Sequence, residues 1–117
     1  MYRSIYKQIA EETTANIREN EHRAFECSIA LLKLAHNAGR GSRESVDALL
    51  YVNRLWGVLL EDLANPENGL PDSLKASLIS IGIWMLRRAE DIRLGRTEDF
   101  AALIEVSETI RGGLSPA

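Results

Sequence analysis

The chain has 117 residues, 45% of them apolar and 26% charged, with a formal net charge of −3 and a pI near 5.4. That is the composition of a folded domain, and a chain of this length buries roughly two-thirds of its unfolded surface in a core of its own. The acidic balance argues against non-specific nucleic-acid binding, which needs a basic face to release counterions, and the lone cysteine, Cys27, excludes an internal disulfide.

Cysteine usage points to a reducing compartment. The opening residues Met1 to Ile5 carry no signal-peptide pattern. The longest apolar run, Leu78 to Leu86 with Ser80 inside it, is nine residues long, against the ~20 a membrane span needs. The expected location is the cytoplasm.

Residues 1–12 place Tyr2, Ile5, Tyr6 and Ile9 at the spacing of one helical face. The segment is expected as a short amphipathic helix or an extended arm. A helix this short is marginal alone, so it must pack on the bundle or on a partner. Thr13 or Thr14 is a candidate cap for a helix over 13–38, whose first half is polar. Its second half carries Phe25, Ile29 and Leu32, and Gly39 is suited to close it.

Ser42 caps the next expected helix, 42–64, with Glu44 in its first turn. Its predicted core stripe includes Leu49, Asn53, Trp56 and Leu60, so Asn53 is expected on the seam. Asn65-Pro66 ends it, because proline cannot continue the hydrogen-bond ladder. A turn follows, and Pro71 suits the first position of a helix over 71–94. Here Leu78, Ile81, Gly82, Trp84 and Met85 lie in a stretch apolar nearly all round. A helix apolar on every side needs cover on every side, which predicts this one at the centre with the others around it. Gly95 stops it. Thr97 is the expected cap of a last helix, 97–111, with Leu103 and Ile104 on its apolar stripe. No segment alternates as a strand does. The fold predicted is all-α: one domain, residues 1–117, of four principal helices with short connections and antiparallel neighbours.

Candidate chemistry is sparse. Glu19-Asn20-Glu21-His22 has the Glu-x-x-His spacing of di-iron bundles, but no second pair exists, and His36 has Lys33 three residues before it. Cys27 has no histidine one turn away, so it is read as a small core or boundary residue rather than a nucleophile. Arg87, Arg88, Arg93 and Arg96 form the one cationic cluster. Helix-dipole complementation explains it, with a docking patch for an acidic partner or RNA as the alternative. Trp56 and Trp84 are core anchors or, alternatively, partner contacts. Gly57 and Gly82 lie inside helices, where each costs about 1 kcal/mol relative to alanine; a close crossing of the two central helices, one glycine facing the other, would account for both. No catalytic constellation, metal site or cofactor is expected, which points to a binding protein rather than an enzyme.

Several blocks resemble one family. They are Arg54-Leu55-Trp56, Glu61-Asp62-Leu63-Ala64, Pro66-Glu67-Asn68, Leu70-Pro71, Leu78-Ile79-Ser80-Ile81-Gly82-Ile83-Trp84, Leu103-Ile104-Glu105-Val106-Ser107 and Ile110-Arg111-Gly112-Gly113-Leu114, with Tyr2 and Tyr6 at the start. Together they are similar to the flagellar biosynthesis regulatory protein FlaF family over nearly the whole chain. Thr13-Thr14 depart from the acidic or proline-containing helix start expected there. The resemblance implies a cytoplasmic factor of flagellum assembly that promotes flagellin synthesis or secretion. Its implied partners are flagellin, as for a secretion chaperone, and FlbT, the companion that represses flagellin messenger RNA. Direct binding to that RNA is the alternative. Tyr2, Ile5, Tyr6 and Ile9 are the expected partner contacts.

Overall fold

The structure, a computed structural model, describes residues 21–113. Four helices follow one another: α1 Glu21–Ala38, α2 Arg43–Ala64, α3 Asp72–Arg93 and α4 Phe100–Gly113. Strands are absent among the described residues. The fold is therefore all-α, as expected. The segment with Tyr2, Ile5, Tyr6 and Ile9, and the candidate caps Thr13 and Thr14, lie outside the described residues.

The helix ends follow from local chemistry. Gly39 takes a left-handed φ of 91° and closes α1 with its amide donating to the Ala35 carbonyl at 2.8 Å. The Ser42 hydroxyl accepts from the Ser45 amide at 3.1 Å and caps α2. Pro71 is the residue before α3, extended at ψ 143°, and the first helical position belongs to Asp72. Gly95, with φ 79°, follows the end of α3. At α4 the cap is Asp99, not Thr97: the Asp99 carboxylate accepts from the Ala102 amide at 3.1 Å. Thr97 lies one step earlier and accepts from the Asp99 amide instead.

Packing runs between chain neighbours and between the two ends of the chain. α1 packs on α2 and α4, α2 on α3, and α3 meets α4 only lightly. The core holds Phe25 and Leu32 from α1, Leu55 and Trp56 from α2, Met85 and Ile92 from α3, and Phe100 and Leu103 from α4. Phe25 meets Trp56 edge to face, centroids 5.9 Å apart, in the geometry aromatic quadrupoles favour. Each fully buried side chain of this size contributes roughly 1.5–3 kcal/mol.

The centre of the bundle is not where the apolar run lies. α2 buries Ala48, Leu49, Val52, Leu55, Trp56 and Val58, whereas α3 buries only Gly82, Met85, Ala89 and Ile92. Leu78, Ile81 and Trp84 are half-buried, and Ile83 is 42% exposed. The reason is position. α3 is held on one side by α2 and barely touched by α4, so none of the described helices covers its outer face. Leu60 and Ile104 are also half-buried, while Asn53 is exposed on the outer side of α2, off the seam predicted for it. The two glycines do not face each other. A Cβ on Gly82 would lie 2.7 Å from Trp56 Cε3 and 2.9 Å from Leu60 Cδ2, whereas one on Gly57 would meet nothing within 4 Å. Gly82 alone accommodates a close approach, and what it admits is the Trp56 indole.

Candidate partner-binding site

With antiparallel neighbours, the start of α1, the end of α2, the start of α3 and the end of α4 share one end of the bundle. There they surround an apolar mouth of about 330 Å³. Phe25 and Trp56 line it from the core. Leu59 and Leu63 come from α2, Leu74 and Leu78 from α3, and Ile110 from α4. The α2–α3 connection supplies Leu70, and its position has a local cause. Asn65 Oδ1 accepts from the Glu67 amide at 2.9 Å, and Asn68 Oδ1 accepts from the Leu70 amide at 3.0 Å. Asn68 Nδ2 donates back to the Asp62 carbonyl at 3.1 Å. These bonds fix the Pro-Glu-Asn turn, and with it Leu70 beside the mouth. Leu70 and Leu74 remain 40% and 44% exposed, so the mouth is open.

The rim is acidic. Glu21 and Asp62 both line the mouth. Burial first, and then the neighbouring Asp62 charge, raise the Glu21 carboxyl above the usual carboxylate range. The Trp56 indole N–H, buried behind the mouth, finds no acceptor among the described residues.

The other candidate residues fall elsewhere. Leu49, Gly82, Met85 and Leu103 are in the core. Trp84 lies half-buried on α3 with the Arg88 guanidinium 5.4 Å from its ring centroid. The remaining cations of that cluster are partly neutralised. Arg93 hydrogen-bonds Glu90, and Arg96 pairs with Asp91 at 3.2 Å. A paired, exposed cluster is a poor counterion-releasing surface for RNA. His22 pairs with Glu26 at 3.8 Å, and no group of three or more His, Cys, Asp or Glu side chains converges to hold a metal among the described residues. Cys27 is exposed. It lies beside Tyr51, whose hydroxyl is pushed up to about 12 by burial and by the neighbouring thiol. Asn53 lines a hollow with Leu50, Arg54 and Gly57, and the described residues around it all belong to α2.

Leu59, Leu63, Leu70, Leu74 and Ile110 were not legible as parts of a site. The one signal was Leu70, an apolar residue standing alone between Gly69 and Pro71 in a polar turn.

Fold and site together define a small antiparallel helical protein with an apolar, acid-rimmed mouth at one end. The chain belongs to the flagellar protein FlaF family, whose pattern matches residues 2–114. Its role therefore lies with the bacterial flagellum. No curated protein and no solved structure matches the chain. None of the four helices is long and apolar enough to cross a membrane.

Proposed function

We propose that the protein promotes flagellin synthesis or secretion by binding a protein helix in the four-helix mouth, the partner being flagellin or FlbT. The observation that carries this is the mouth itself. Four helix ends and a hydrogen-bonded turn hold open an apolar recess whose outer leucines remain accessible. An amphipathic helix laid in such a recess buries its apolar face and is read by anchors three or four residues apart. The binding needs no catalytic step.

The test is calorimetric titration of the full chain with purified flagellin and, separately, with purified FlbT. Leu74→Glu sets a charge at an already exposed position on the mouth, so the fold should survive, as circular dichroism will verify. The expected result is binding by the wild-type chain to one of the two partners and at least a tenfold loss of affinity in Leu74→Glu. Unchanged affinity in that variant moves the contact away from the mouth, and no binding to either partner ends the reading.

A further inference from the structure

α2 has a second face, turned away from the core. Val46, Leu50, Asn53 and Gly57 follow one another at intervals of four, three and four, and all four are exposed. Leu50 at 62% and Val46 at 53% are among the most accessible large apolar side chains of the described residues. The spacing is that of a coiled-coil seam. Ala48, Val52 and Leu55 already hold the same helix to the core from its other side. The outer stripe is not needed for that packing. Nor is it flat. Hollows open on both sides of Leu50 and Asn53, one reaching Gly57 and the other Val46. A second helix can seat side chains in them, and Gly57 leaves room for one.

The charges select which helix. Asp47 and Arg54 lie seven residues apart along one edge of the stripe, about two turns. Both are exposed, and neither is in an ion pair among the described residues. In an antiparallel pair of identical helices the same edge of each meets the other, with the ends exchanged. Each Asp47 then lies across from the second copy's Arg54. In a parallel pair those edges lie on opposite sides of the seam, and the charges do not meet.

We propose that this face of α2 closes a homodimer about a two-fold axis, α2 against the antiparallel α2 of a second copy. Val46 lies over the second copy's Gly57, Leu50 beside its Asn53, and two Asp47–Arg54 pairs flank the seam. Asn53 lowers the affinity, as a polar residue on a seam does. From Val46 to Gly57 the seam is about 16 Å long at 1.5 Å per residue. The interface is therefore small, below about 1,200 Å², and the dimer is a weak one. Because α2 ends at the mouth, the antiparallel arrangement sets the two mouths at opposite poles. The dimer does not depend on what the mouth binds.

Sedimentation equilibrium of the full chain tests this, from about 10 µM to about 1 mM, the range suited to a weak interface. Reductant keeps the exposed Cys27 from cross-linking. The average mass should rise with concentration from 13.1 kDa towards twice that value. Leu50→Glu should raise the dissociation constant at least tenfold. Asp47→Arg and Arg54→Asp should each raise it at least fivefold, because each sets like charges across both edges. The double reversal should return it to within twofold of wild type. Every substituted position is exposed, and circular dichroism verifies that the helices survive. A monomer at every concentration overturns the proposal, as does a dimer insensitive to Leu50→Glu. A double reversal no tighter than the single ones overturns the antiparallel pairing.

Discussion

Gly82 and Gly57 show at single-residue scale how one residue type, in two helices of like length, has opposite meanings. Gly82 faces a buried indole that cannot retreat, because Trp56 is 1% exposed and packed against Phe25. Gly82→Ala should therefore destabilise the fold by about 1–3 kcal/mol, the usual cost of overpacking a filled core. Gly57 is exposed and faces open space. Gly57→Ala should stabilise by about 0.5–1 kcal/mol, since alanine loses less backbone entropy in a helix. Urea unfolding of both variants checks the pair. Equal effects in the same direction would contradict the packing described.

For the elements, the start of α4 is the informative case. The Asp99 carboxylate satisfies the amide three residues on, one of the donors that a helix start leaves without an intrahelical partner. Thr97 reaches only the Asp99 amide, before the helix begins. Asp99→Ala should cost about 1 kcal/mol, the typical value of a lost cap, while Thr97→Ala should cost measurably less. Thermal denaturation of the two variants ranks them. Both residues are reasonable caps in sequence. Choosing between them requires knowing which residue is the first with helical dihedrals, and composition does not carry that information.

Across the whole molecule, the light contact between α3 and α4 divides the bundle unequally. α2 is bonded to the core along most of its length, while the start of α3 carries Leu74 exposed and Leu78 half-buried. Regions with few buried contacts open at lower free energy than the core. Amide hydrogen exchange should be at least tenfold faster over Asp72–Ile79 than over Val52–Trp56. Equal protection would mean that α3 is held more firmly than its packing indicates. Much of this architecture was readable beforehand. Helix order, the left-handed glycines 39 and 95 and the Ser42 cap are written in residues a few positions apart. The centre of the bundle was not, because Leu78 to Leu86 records how apolar α3 is and not how many neighbours it has. The mouth was legible only in fragments. Its leucines come from three separate stretches of chain, and no periodicity within one stretch reveals that four helix ends meet.

That meeting has a practical consequence. α1 begins and α4 ends at the mouth, while the Gly39–Ser42 turn lies at the opposite pole, where Arg40 approaches Gly95 within 3.2 Å of a would-be Cβ. A bulky label attached at Glu21 or Gly113 would hang over the recess and compete with whatever enters it. A label inserted at Gly41, exposed and remote, would report on the same protein without standing in its doorway.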